Sequence, residues 1–114
     1  MTAVIDTLTD VNFDQLVGRD ELPYLVDFWA PWCGRCRLLE PAVTALAAHY
    51  AGRLRVGRLD VDASPGIAAR FAVLSLPTII VVDHGETVAH LAGVISPAKL
   101  RGAVGAVLEP AAAS

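Results

Sequence analysis

The sequence predicts an α/β sandwich: a central mixed β-sheet flanked by helices on both faces, three layers in all. Three observations carry that expectation. Apolar runs suited to buried strands alternate with segments of helical periodicity along the 114 residues. Residues 24–30, YLVDFWA, are apolar almost throughout, as strands covered on both faces are. A helix and then another strand follow, an order that makes those two strands parallel, whereas PTIIVV at residues 77–82 returns through a tight turn into an antiparallel partner.

Taken in order, residues 3–6 read as a short edge strand. Residues 12–17 form a helix with Phe13, Leu16 and Val17 on one face and Thr9, Asp10 and Asn12 as capping residues for its start. After the strand at 24–30, residues 36–50 are helical, apolar at Leu38, Leu39, Val43, Leu46 and Ala47, with Pro41 expected to kink the helix. Residues 54–61, LRVGRLDV, are the next strand. A short helix at 65–71 takes Ser64 as its N-cap and Pro65 in its first turn. The β-branched run at 77–82 is a strand, Asp83-His84-Gly85-Glu86 a turn, and residues 87–92 the returning strand. Ser96 and Pro97 open a last helix with Leu100, Val104 and Leu108 on its inner face.

Composition narrows the class. Apolar residues at 54% and charged residues at 18% exclude a disordered chain. The length fits one domain over 1–114, with the N-terminal segment 1–7 and the tail 110–114 partly flexible. A net charge of −3 supplies no basic field for nucleic acid or an anionic membrane. The longest uncharged apolar stretch, residues 71–82, contains Pro77 and falls well short of the ~20 residues of a membrane-spanning helix. The opening MTAVIDTLTD has no basic leader region, so no secretory signal is expected.

The chemistry lies in Trp32-Cys33-Gly34-Arg35-Cys36, at the junction of the buried strand and the long helix. Cys33 and Cys36 are the only cysteines, whereas small disulfide-stapled scaffolds carry more, spread along the chain. A structural disulfide across so short a loop removes little chain entropy. Zinc needs four ligands, and His49, His84 and His90 do not form a compact ligand array with the pair. Dithiol redox chemistry is the reading these alternatives leave strongest. At a helix N-terminus, unpaired backbone N–H groups and the positive end of the dipole favour thiolate, which is the nucleophile. Cys33 is then the exposed, attacking thiol, and Cys36, one turn in, the buried thiol that resolves the mixed disulfide.

VDFWAPWCGRC at 26–36, SLPT at 75–78 and HGE at 84–86 followed by Gly93 resemble the thioredoxin family, a likeness running over about residues 8–108. The resemblance implies the thioredoxin-like form of the sandwich, with no cofactor or metal held by this chain. It makes Asp27 the buried carboxylate behind Cys36, taking and returning its proton through water; the residues alone leave open a surface-facing Asp. Arg58 falls where the family commonly has a lysine near that carboxylate, with a plain surface charge as the alternative. Leu76-Pro77-Thr78 matches a cis-proline loop over the cysteine pair, where the backbone of Leu76 would pair with a substrate strand. Trp32, Gly34, Leu76 and Gly93 would make an apolar contact surface, Trp29 would pack beside the site, and the three histidines would face solvent.

Two departures stand out. Gly34-Arg35 occupies the place of the family's Gly-Pro, and Arg37 that of a common lysine. A guanidinium near Cys33 favours the thiolate of the reduced protein, so Gly34-Arg35 should raise the reduction potential, with Arg58 a further tuning group. The resemblance implies a monomeric reductase of disulfides in target proteins. It would be recharged by an NADPH-dependent thioredoxin reductase in a reducing cytoplasm, with neither nucleic acid nor membrane among its partners. A thiol oxidant or isomerase tuned by Arg35 is an alternative within this chemistry. A binding module with an incidental cysteine pair is an alternative outside it.

Overall fold

The computed structural model describes residues 4–18 and 21–109. In chain order it contains β1 (Ile5–Leu8), α1 (Phe13–Leu16), β2 (Tyr24–Trp29), α2 (Gly34–His49), β3 (Arg55–Asp60), α3 (Pro65–Arg70), β4 (Thr78–Asp83), β5 (Glu86–Ala92) and α4 (Pro97–Leu108). One five-stranded sheet runs β1-β3-β2-β4-β5. β1 and β2 are parallel to β3, and β4 is antiparallel to both β2 and β5, so the expected parallel pair and hairpin are both present.

Strand alternation separates two cores. Tyr24, Val26 and Phe28 of β2 join Leu8, Phe13, Leu59, Ile67 and Ile80 on one face. Leu25 joins Leu39, Val43, Leu46, Ile79, Leu100 and Val104 on the other. Thus α1 and α3 cover one face of the sheet while α2 and α4 cover its reverse. Every β2 residue except Trp29 is buried, the physical origin of the run YLVDFWA. At the hairpin, His84 (φ 52°) and Gly85 (φ 81°) both have positive φ, the geometry of a two-residue turn that matches strand twist.

Several local readings are corrected. The edge strand covers 5–8 rather than 3–6, with Ile5 opposite Val56 and Leu8 opposite Leu59. Residues 5–7 are therefore sheet, while residues 1–3 and the tail 110–114 lie outside the described residues. α2 begins at Gly34, two residues before the expected start, because Cys33 is its N-cap. Leu38, assigned to the buried face of that helix, is exposed; the buried stripe is Cys36, Leu39, Val43, Leu46 and Ala47. Asp10 does not cap α1. Its carboxylate accepts the N–H groups of Gly66 (3.0 Å) and Ile67 (2.8 Å) at the start of α3. Ser64 holds the N-cap position there, but its hydroxyl instead accepts the N–H of Asp10 at 3.2 Å. At α4 the expected cap is made, Ser96 Oγ accepting the Lys99 N–H at 3.1 Å. Among the described residues, no helix is long and apolar enough to cross a membrane.

Candidate active site

β2 delivers the chain to the cysteine pair, and the Cys33 N–H donates to the Ala30 carbonyl at 3.0 Å. Cys33 is extended (φ −87°, ψ 103°), as N-cap residues are, and its Sγ accepts the Cys36 N–H at 3.2 Å. The sulfur thus occupies the place a capping oxygen usually takes, among the unpaired N–H groups of a sixteen-residue helix. Cys33 and Cys36 are joined as a disulfide, with Cα atoms 5.3 Å apart. Cys33 is the more exposed of the two, but at 5% against 1% it is buried rather than open to solvent. Gly34 and Arg35 lie exposed beside it.

The Leu76–Pro77 peptide bond is cis. Thr78 Oγ1 donates to the Ser75 carbonyl at 2.6 Å, and the Gly93 N–H donates to the Pro77 carbonyl at 3.0 Å, which ties the loop from both sides. The Leu76 side chain is 9% exposed and packs in the same cluster as Cys33 and Cys36. Trp32 is 67% exposed, and its Nε1–H donates to Asp62 Oδ2 at 2.8 Å. The exposed apolar residues Leu38 and Val94 were not foreseen beside the site. Val94 follows Gly93, and that position was the available signal. Leu38 and Val94 line a groove with Arg35 and Pro77. His49, His84 and His90 are exposed, away from any cluster with the cysteines.

Asp27 is 1% exposed, at the centre of β2. Loss of hydration pushes its pKa up from 3.8 to about 6, against the pull of the Arg58 guanidinium, with Glu40 adding to the rise. Arg58 stands opposite Asp27 in the β2–β3 register, and its Nε–H donates to Oδ2 at 3.1 Å. It is no plain surface charge. Its guanidinium lies 4.3 Å from the Trp29 ring centre, and its Nη1 is 3.6 Å from Glu40 Oε1. Asp27 Oδ1 and Arg58 Nη2 are buried without hydrogen-bond partners. Trp29, Glu40, Thr44, Arg58, Asp60 and Ser64 are among the residues lining an open cavity of about 470 Å³ on this side. Glu40 was missed from the sequence; its only mark is its place one helical turn after Cys36.

A family model described as thioredoxin matches residues 4–106. The thioredoxin of Porphyra purpurea is 40% identical over 96 residues, covering 84% of this chain and 90% of that protein. The thioredoxin of Haemophilus influenzae is 34% identical over 93 residues, 82% of this chain and 87% of its own. The chloroplastic M-type thioredoxin of Pisum sativum is 38% identical over 96 residues, which are 84% of this chain and 56% of that longer one.

Proposed function

The chain belongs to the thioredoxin family and is a thiol–disulfide oxidoreductase, and on that premise we propose how its residues divide the reduction of target-protein disulfides. The observation that carries the reading is Cys33 Sγ standing as the cap of α2, accepting the Cys36 N–H. In the reduced protein the same donors stabilise a Cys33 thiolate. That thiolate attacks one sulfur of the target disulfide, forming a mixed disulfide and expelling the other target sulfur as thiolate. Cys36 gives its proton to the Asp27 carboxylate and attacks Cys33 Sγ. The Cys33–Cys36 disulfide forms, the second target sulfur leaves, and two electrons have passed to the target. Asp27, with a pKa of about 6, is mostly ionised at neutral pH and still basic enough to take this proton and return it to a leaving thiolate.

The target approaches across Trp32, Gly34, Pro77 and Gly93, pairing its backbone with that of Leu76. Arg35 raises the reduction potential by favouring the Cys33 thiolate, and Arg58 sets the acidity of Asp27. The protein works as a monomeric single domain in a reducing cytoplasm. A thioredoxin reductase drawing on NADPH returns the two electrons.

Insulin reduction coupled to such a reductase tests the activity, and variants test the roles. Cys36→Ser should lose turnover and accumulate mixed disulfides with targets, while Cys33→Ser traps none. Trapping by Cys33→Ser would reverse the assignment. Full biological activity with both cysteines replaced by serine would mean that the protein is a binding module instead.

A further inference from the structure

An arginine does not give up its proton at any working pH, so a permanent cation stands 3.1 Å from the carboxylate assigned to proton transfer. Unopposed, a guanidinium and a carboxylate form a two-bonded fork that holds the acid ionised. Here the fork is not made. Only Nε reaches Oδ2, while Asp27 Oδ1 and Arg58 Nη2 are left buried and unpartnered. The guanidinium is drawn aside, over Trp29 and toward Glu40 Oε1 at 3.6 Å.

The other charged groups lining the cavity beside Arg58 are engaged elsewhere. Asp60 of β3, in the same cavity, accepts the N–H groups of Asp62 at 2.9 Å and Ala63 at 3.4 Å. Asp6 of β1 takes the Tyr24 hydroxyl at 2.6 Å and Arg55 Nη2 at 3.2 Å. β4 sets Ile79 opposite Asp27, which carries no charge, and Cys36 of α2 is held in the disulfide. Glu40, half-exposed on α2, is the group left to compete for Arg58.

We propose that Glu40 is a positioning residue for proton transfer: by holding the outer edge of Arg58 toward α2, it limits Arg58 to one hydrogen bond with Asp27 and keeps Asp27 able to take a proton. The inference rests on Asp27 being the proton acceptor for Cys36. Removing the Glu40 charge frees Arg58 to pair with both carboxylate oxygens, which favours the ionised acid. The direction agrees with the influence of each neighbour on Asp27, Arg58 pulling its proton affinity down and Glu40 pushing it up.

The test is a carbon-13 titration of the Asp27 carboxyl in the full oxidised chain, where neither cysteine titrates. In Glu40→Gln the midpoint should fall by about half a pH unit or more, a roughly threefold loss of proton affinity. In an Arg58→Met background the same substitution should move the midpoint less than half as far. An unchanged midpoint in Glu40→Gln overturns the proposal. So does an equal shift in both backgrounds, since Glu40 would then act on Asp27 directly through space. Failure of the underlying reading appears elsewhere, as unchanged reduction kinetics in Asp27→Ala, which this titration does not measure.

Discussion

Because burial pushes its pKa from 3.8 to about 6, Asp27 keeps a proton in the fold at pH values where the unfolded chain has released it. The folded state binds the extra proton, so stability from this group falls as pH rises between 3.8 and about 6, and stays low above that window. A difference of about two pH units corresponds to roughly 3 kcal/mol. Asp27→Asn should therefore be more stable than the parent at about pH 7.5, by up to about 3 kcal/mol, a figure already net of the Arg58 attraction, with the difference shrinking toward zero at about pH 4. Denaturant unfolding at the two pH values measures it. A variant less stable than the parent at the higher pH would contradict the assignment. Asp27 was visible in the sequence as a carboxylate inside an apolar strand, an arrangement that needs a reason. Glu40 gave no such sign, since a glutamate on an exposed helical turn is ordinary. The partnership of Arg58 with Asp27 depends on strand register, which neither residue encodes locally.

Helix starts were more legible than helix ends. Pro65 and the Ser96-Pro97 pair marked two starts through local chemistry, and both helices begin there. The end of α3 carries no glycine. Ala72 takes the left-handed conformation (φ 52°), and the Val73 N–H reaches back to the Ala68 carbonyl at 3.0 Å, closing the helix in the manner glycine usually provides. An L-alanine in that conformation costs roughly 1 kcal/mol, part of which glycine returns as greater freedom of the unfolded chain. Ala72→Gly is expected to stabilise the protein by about 0.5 kcal/mol, read as a raised denaturant midpoint at constant slope. A lowered midpoint would show that the alanine methyl makes contacts worth more than the strain. The Asp10 cap was misplaced for a different reason: it acts on an N–H fifty-six residues away, beyond any local pattern. Leu38 was misassigned because periodicity alone leaves the edge of the buried stripe open: Cys36, Leu39, Val43 and Leu46 fix its centre, and Leu38 falls on the exposed side of it.

For the molecule as a whole, the parallel pair and the hairpin were legible because each joins neighbours in sequence. The docking of β1 against β3 was not, since it pairs residues as far apart in sequence as Ile5 and Val56. Its trace lies in Gly57, where an added Cβ would stand 2.5 Å from the Tyr24 hydroxyl and 2.7 Å from Leu8 Cδ1. Inside the strand expected at 54–61 that glycine has no local reason, and with β1 in place it reads as room left for a neighbour. The Asp10 cap has a consequence for how the molecule breathes. Gly66 and Ile67 donate to Asp10, and Arg70 pairs with Asp14 at 2.7 Å, so the segment after β1 and helix α3 are fastened to each other. Protein interiors open in cooperative units. These two segments should form one such unit despite their separation, their amides exchanging with solvent deuterium together. Asp10→Ala should then speed exchange at Gly66 and Ile67 by about fivefold, the equivalent of about 1 kcal/mol for a lost cap, with residues 11–14 accelerating in step. Faster exchange at residues 11–14 with α3 unaffected would mean that the two open separately.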